Sequence, residues 1–223
     1  MKTRLYQGSS SIWILRDTSA LSKTSLNKSA LSILIPTQDR KSGVLNLSTI
    51  DTKSQRRNLS DRIFIRIDDR FIHGQVTAAW IKKIGSLSVW VVNDKIASNP
   101  VLKQLQLTLA PPGIQVDVLN IKDAAEKLKN AEILGKTLIL VEKPQDVLAL
   151  LDMAEATVEF INLGQMGWKE GRVRVEKTLN IGGEDKKALL ELLSRGIKLL
   201  YQQLPDFPPK PIDLGKKILE LKL

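Results

Sequence analysis

A chain of 223 residues, 43% of them hydrophobic, is long enough for one ordinary domain with its own core and an appendage. It has no cysteine, which excludes disulfides, thiolate catalysis and cysteine-ligated metals, and its single histidine argues against a histidine-based metal site. No run of about 18 apolar residues appears, so we expect no membrane-spanning segment.

The net charge of +10 is concentrated at the start of the chain. Residues 1–60 contain ten Lys/Arg and three Asp/Glu, whereas residues 61–223 contain 24 and 21. A DNA-binding domain concentrates basic residues on its folded part and carries a motif that enters a groove. Neither feature is visible, so we do not expect a nucleic-acid partner.

Residues 1–60 differ in composition from the rest of the chain. They contain 18 Ser/Thr, few acidic residues and only short apolar runs. Such a segment has too little apolar surface to bury, so burial does not offset the conformational entropy lost when the chain is ordered. Three interpretations stay open: a start placed upstream of the natural one, a disordered extension, or a basic, Ser-rich targeting segment. We therefore expect a leader over 1–60 and a folded domain over 61–223.

From residue 61 onward, apolar strand-like runs alternate with helical patterns. The predicted strands are 63–67, 87–93, 114–119, 137–142, 158–163, 173–179 and 197–202. The predicted helices are 75–84, 100–109, 122–134, 145–154, 184–194 and 212–221. This alternation predicts an α/β fold with an open, doubly wound, mostly parallel sheet of about seven strands and helices on both faces. Because no helix precedes 173–179, that strand is expected to be antiparallel or at an edge.

The histidine lies in a charged loop between the first predicted strand and the first predicted helix. Arg66, Asp68, Asp69 and Arg70 precede His73 within seven positions. In a doubly wound sheet, ligands bind beyond the carboxyl ends of the strands, which is where this loop falls. The alternative is a structural histidine without a chemical role, surrounded by surface charges that neutralise one another. The placement favours a histidine that carries a charge or a phosphoryl group.

The motif R-I-D-D-R-F-I-H-G-Q-V over 66–76 resembles the phosphorylation-site loop of IIB domains of the mannose/fructose/sorbose class of the bacterial sugar phosphotransferase system. Further segments agree with this family in order and approximate spacing. They are V-V-N-D at 91–94, A-P-P-G at 110–113, N-L-G-Q-M at 162–166 and Q-L-P at 203–205. The resemblance covers about residues 61 to 223.

This resemblance implies a function and a set of partners. His73 would accept a phosphoryl group from a IIA domain and pass it to a sugar held by IIC and IID membrane subunits, as a protein-Nπ-phosphohistidine–sugar phosphotransferase. We expect no metal or cofactor and a cytoplasmic location peripheral to the inner membrane through the partner subunits. The resemblance leaves open whether the protein forms a homodimer. The rival hypothesis is a non-catalytic module that binds an anion or a sugar phosphate on the same scaffold.

Roles for the neighbouring residues follow from chemistry and from the resemblance. Arg66 and Arg70 are expected to hold the phosphoryl oxygens, because guanidinium groups match phosphate geometry. Asp68 or Asp69 could accept a hydrogen bond from the second ring nitrogen and fix the tautomer; we favour Asp69. By family analogy the phosphoryl group would sit on Nδ1.

The remaining predicted site residues lie at the ends of other elements. Backbone amides at Gly74, Gln75 and Val76 would add the positive end of a helix dipole. Asp94 could line the crevice or cap the following turn, and capping is favoured. Two more predicted binding residues, Gly164 and Met166, come from the loop after 158–163.

Two residues of that loop raise separate questions. Gln165 stands where this family usually has a second glycine, which puts the usual loop conformation in question. Trp168, in a glycine-flanked stretch, could contact a partner or a sugar.

Overall fold

The computed structural model describes residues 2–7, 10–15, 33–38, 45–50, 56–211 and 220. The chain divides into two compact units, residues 1–56 and 57–223. In the first unit, β1 (Lys2–Gln7) pairs with β2 (Ser10–Leu15) and β3 (Ile33–Gln38) pairs with β4 (Leu45–Ile50), both antiparallel. The sequence did not predict these strands. The three interpretations of residues 1–60 given above stay predictions.

The second unit alternates strands and helices. Its first half contains β5 (Arg57–Asn58), β6 (Ile63–Asp68), a π-helical segment (Val76–Trp80), α1 (Ile81–Ile84), β7 (Ser88–Val92), α2 (Asp94–Ser98), α3 (Pro100–Thr108), β8 (Gln115–Leu119) and α4 (Ile121–Lys129). Its second half contains β9 (Thr137–Val141), α5 (Pro144–Met153), β10 (Ala156–Thr157), β11 (Phe160–Gln165), β12 (Val173–Glu176), β13 (Leu179–Ile181), α6 (Gly183–Ser194), β14 (Lys198–Tyr201) and β15 (Lys210–Pro211).

The main sheet has seven strands in the order β15-β14-β11-β6-β9-β7-β8. Its first six strands along the chain are parallel, and the short β15 pairs antiparallel with β14. The predicted open, mostly parallel α/β sheet is thus confirmed. β6 lies near the middle of the sheet between β11 and β9, so the loop that follows it is flanked by loops from both neighbours.

Side chains alternate along the strands and divide the core into two layers. Ile63, Ile65 and Ile67 of β6 pack in the first core layer, which contains α4, α5 and α6. Phe64 of β6 packs in the second core layer, on the opposite face, with the π-helical segment, α1, and parts of α2 and α3. Both faces of the sheet are therefore covered by helices, as the sequence predicted.

Three features differ from the sequence predictions, and a fourth lies mostly outside the described residues. Residues 173–179 do not form one strand of the main sheet; β12 and β13 make a separate antiparallel hairpin, because the chain turns between Glu176 and Leu179. Helix α4 ends at Lys129, before the predicted 134, because Ala131 adopts a positive φ of 57°. Helix α2 (Asp94–Ser98) lies between the predicted strand 87–93 and the predicted helix 100–109, where no helix was predicted. The predicted helix 212–221 lies outside the described residues except for position 220.

Candidate active site

The loop after β6 brings the histidine to the carboxyl end of the sheet. The backbone N–H of Phe71 donates to the carbonyl of Asp68 at 3.0 Å, which closes a turn, and Phe71 adopts an unusual φ of 54°. Phe71 and Ile72 are buried in the second core layer, which anchors the loop. His73 follows with its side chain 17% exposed. The next helical turns are π-helical, a rare geometry that is frequent at functional sites.

The Asp68 carboxylate is the centre of the site. It is fully buried, and its Oδ2 lies 3.3 Å from Nε2 of His73 and 2.9 Å from Nη2 of Arg66. Its Oδ1 lies 3.3 Å from Nε of Arg70. Burial raises the pKa of Asp68, but the hydrogen bonds and charges of His73, Arg66 and Arg70 lower it, and the net effect is a lowered pKa. The net pKa lies below the ordinary value, so this carboxylate stays charged beside the histidine.

Arg66 is also fully buried, and its donors are directed into the protein. Burial lowers the pKa of this arginine, against the opposing effect of Asp68. The Arg66 guanidinium lies 4.6 Å from the ring centre of Trp80. Its five N–H groups, the full donor set of a guanidinium, have acceptors on Asp68, Asn162, Gln202 and Gln203. A direct contact with a phosphoryl group would require one of these acceptors to be released.

Arg70 is the arginine at the surface of the site. Its side chain is 39% exposed, compared with 0% for Arg66. Besides Asp68, it donates from Nη2 to Oε1 of Gln75 at 3.3 Å. Gln75 lies immediately before the π-helical segment, so this bond joins the two ends of the chain segment that contains His73. The predicted pair of arginines is thus divided into one buried and one accessible group.

Asp69 does not make the contact that the sequence assigned to it. Its Oδ2 accepts a hydrogen bond from the backbone N–H of Gly167 at 2.5 Å, whereas the carboxylate beside the histidine ring is Asp68. The preference for Asp69 was wrong because Asp68 still belongs to the strand, while the turn directs Asp69 toward the loop after β11. Trp168, next to Gly167, is 71% exposed, and its contact with a partner stays a prediction.

Gly164 allows the buried arginine to lie against β11. A Cβ at this position would be 2.0 Å from Nη2 of Arg66, so no side chain fits there. The pairing of β11 with β6 shifts register between Leu163 and Gln165, which accommodates the extra residue. Gln165 does not have a positive φ, so its backbone tolerates a side chain where glycine was expected. Gly164 thus acts by supporting Arg66.

Two other predicted binding residues, Met166 and Asp94, make contacts outside the carboxylate–histidine pair, whereas Gly74 directly follows His73. Met166 is fully buried in the first core layer, and its carbonyl accepts from the side chain of Asn180 at 2.8 Å. Asp94 accepts from the backbone N–H of Ile121 at 2.9 Å, at the start of α4. The favoured role of Asp94 as the cap of the turn after β7 was wrong, because the side chain of Asn93 caps that turn. A Cβ at Gly74 would meet no atom within 4 Å.

Two residues that hold the site were not singled out from the sequence. Asn162 of β11 accepts from Arg66, and Gln106 of α3 accepts from the backbone N–H of Ile72 at 3.2 Å. The signal for Asn162 was its place in the quoted motif at 162–166. The signal for Gln106 was a polar residue between Leu105 and Leu107 on a helix.

Within the described ranges there is neither a candidate metal site nor a candidate membrane span. No group of three or more His, Asp or Glu residues there could hold a metal ion. None of the helices in that part of the chain is both long enough and apolar enough to span a bilayer.

The chain matches a family of known proteins over most of the second unit. Residues 62–220 match the family described as PTS system sorbose subfamily IIB component. The fructose-specific EIIB component of Bacillus subtilis is 33% identical over 145 residues, which are 65% of this chain and 88% of that protein. The mannose-specific EIIAB component of Escherichia coli K12 is 32% identical over 155 residues, 69% of this chain but only 48% of that protein.

A solved structure agrees with this assignment. The IIBSor domain of the sorbose permease from Klebsiella pneumoniae matches with a TM-score of 0.66 and 30% identity. The match covers 73% of this chain and 99% of that one. The site geometry, the parallel sheet and these similarities lead to one conclusion: the chain belongs to the sorbose subfamily of IIB components of the sugar phosphotransferase system.

Proposed function

We propose that this protein is a phosphocarrier in which His73 accepts a phosphoryl group from a phosphohistidine on a IIA domain. The carrier then delivers it to a sugar bound by IIC and IID membrane subunits. The observation that carries this proposal is the 3.3 Å contact between Nε2 of His73 and the buried carboxylate of Asp68. A carboxylate hydrogen-bonded to one ring nitrogen fixes the tautomer and the orientation of an imidazole, which supports a histidine that attacks phosphorus with its other nitrogen.

The contact favours one ring nitrogen as the nucleophile. A proton on Nε2 is stabilised by Asp68, which leaves the lone pair of the neutral imidazole on Nδ1. In the transfer, a bond forms between Nδ1 and phosphorus while the bond from phosphorus to the donor nitrogen breaks, and the donor ring retains that electron pair. The phosphorylated ring with a proton on Nε2 is cationic, so Asp68 would stabilise it.

The two arginines would have different roles in the phosphoryl transfer. Arg70 is accessible and adjacent to Asp68, so its planar guanidinium is suited to hold the phosphoryl oxygens as charge redistributes. Arg66 would act by holding Asp68 in place. A direct contact between Arg66 and the phosphoryl group stays a prediction.

The partners follow from this role and from the relatives. The mannose-specific relative is named as an EIIAB component, which supports a IIA domain as the donor. On this proposal the protein works at the cytoplasmic side of the inner membrane, bound through its partner subunits. The sugar would be of the mannose, fructose or sorbose type, and homodimer formation stays a prediction.

A labelling experiment on the full chain tests the proposal. The protein is incubated with the phosphorylated general phosphotransferase proteins and a cognate IIA, beside a His73→Gln variant. We expect an acid-labile, alkali-stable phosphate in the parent and none in the variant. Because the chain has one histidine, a phosphohistidine label identifies its position without mapping.

The alternative hypothesis makes the opposite prediction in the same assay. If an active donor leaves the parent unlabelled, and inorganic phosphate binds reversibly to both the parent and a His73→Ala variant, the protein is an anion-binding module. The carrier proposal is then wrong.

A further inference from the structure

The backbone amide directly before the histidine is held by a side chain from a different element. The N–H of Ile72 donates to Oε1 of Gln106 at 3.2 Å, and the two residues are 34 positions apart. Ile72 is 2% exposed and Gln106 is 8% exposed. Buried backbone donors are nearly always paired, so the bond satisfies a requirement that the loop does not meet through its own residues.

Two backbone hydrogen bonds earlier in the loop return to Asp68. The N–H of Phe71 donates to the Asp68 carbonyl, and the N–H of Arg70 donates to its Oδ1 at 3.3 Å. Phe71, with its φ of 54°, is in a backbone conformation that side chains rarely adopt, and surrounding contacts must maintain it. The first half of the loop is thus tied to β6, while the bond to Gln106 ties the second half to α3.

Gln106 breaks the usual pattern of a surface helix. It is the buried residue of α3, while Val101, Leu102 and Leu105 on the same helix are exposed. An amphipathic helix normally buries its apolar residues and exposes its polar ones. Local departures from such rules are expected where a residue serves a functional site. The inverted burial therefore supports a specific role for the amide of Gln106.

We infer that Gln106 is a positioning residue for phosphoryl transfer, which sets the direction of His73 relative to Asp68 by holding the Ile72 amide. This inference rests on the proposed phosphocarrier function. Displacement of a nucleophile by about 1 Å can reduce a rate by about 100-fold, so a modest shift of the loop is sufficient for a measurable effect.

The test compares three variants of the full chain. Gln106→Leu keeps the approximate size but removes the acceptor, Gln106→Glu keeps an acceptor oxygen, and Gln104→Leu makes the first change at an exposed position of the same helix. For transfer from phosphorylated IIA, we expect kcat of Gln106→Leu to fall by about 10-fold with little change in KM. Gln106→Glu should restore most of the rate, and Gln104→Leu should match the parent.

Hydrogen exchange of the Ile72 amide provides a second readout. The amide should exchange slowly in the parent and in Gln106→Glu, and at least about 10-fold faster in Gln106→Leu. This measurement reports the hydrogen bond directly and does not depend on catalysis.

The outcomes separate this inference from the function on which it rests. If the parent transfers phosphate and Gln106→Leu has an unchanged kcat per folded molecule, the inference alone is wrong, even if the variant is less stable. If the parent is not phosphorylated by an active donor, both the inference and the phosphocarrier proposal fail.

Discussion

Arg66 and Asp68 form a fully buried ion pair at the carboxyl end of β6, with 2.9 Å between Nη2 and Oδ2. Removal of one partner from a buried pair leaves an uncompensated charge. We therefore expect Asp68→Asn to lower the free energy of unfolding by about 3–5 kcal/mol, measured by urea denaturation near pH 7. Asp61→Asn, at an exposed position, is the matched control and should change it by less than about 0.5 kcal/mol. A loss below about 1 kcal/mol in Asp68→Asn would contradict the buried pair.

Asp146, in the first turn of α5, should make the protein less stable as pH rises. Its pKa is raised to about 6 by burial, with a further increase from the charges of Glu142 and Asp94 against the opposing charge of Lys143. Between about pH 4 and pH 6 the folded protein retains a proton that the unfolded chain releases, so stability falls as pH rises through this window.

Substitution with asparagine tests this directly. We expect Asp146→Asn to exceed the parent in stability at pH 7 by on the order of 1 kcal/mol, a value reduced for solvent screening, and to match it near pH 4. Urea midpoints at pH 4, 5, 6 and 7 would measure the difference. An equal difference at pH 4 and pH 7 would show that the carboxyl group does not titrate as expected.

Gly164→Ala should disrupt the packing under the site. The added Cβ would lie 2.0 Å from Nη2 of Arg66, so the buried guanidinium would have to leave its acceptors. We expect a loss of about 3 kcal/mol in the free energy of unfolding and a strong loss of His73 labelling. Gly183→Ala is the control, since a Cβ there meets nothing within 4 Å. If both alanine variants behave alike, the close approach of Arg66 is wrong.

Asp69→Ala should separate the roles of the two aspartates. It removes the acceptor of the Gly167 amide, and we expect a cost of about 1–2 kcal/mol together with faster exchange of that amide. Labelling of His73 should fall less than in Asp68→Asn, because Asp68 contacts the ring. Glu170→Ala, an exposed neighbour of the same loop, should leave the exchange unchanged. A larger labelling defect in Asp69→Ala than in Asp68→Asn would restore the original assignment.

The alternation of strands and helices, and the place of His73 within it, could be predicted from the sequence. Hydrophobic periodicity and capping residues are local features, and they correctly located β6 and the helix that begins at Pro100. The rule that sites lie beyond the carboxyl ends of parallel strands then placed the charged loop. Family resemblance added the expected chemistry of His73, which the labelling experiment tests.

The partners of each side chain required the tertiary structure. The side chains of Asp68 and Asp69 have different partners because β6 ends between these two residues. A sequence pattern locates the end of a strand only within a few residues. The burial of Arg66 depends on Gly164, which is nearly 100 positions away, and the Ile72 amide depends on Gln106. Such contacts join segments through the packing of the whole sheet, and no local pattern encodes them. The sequence alone determined where the histidine lies, and the tertiary structure decided which groups hold it there.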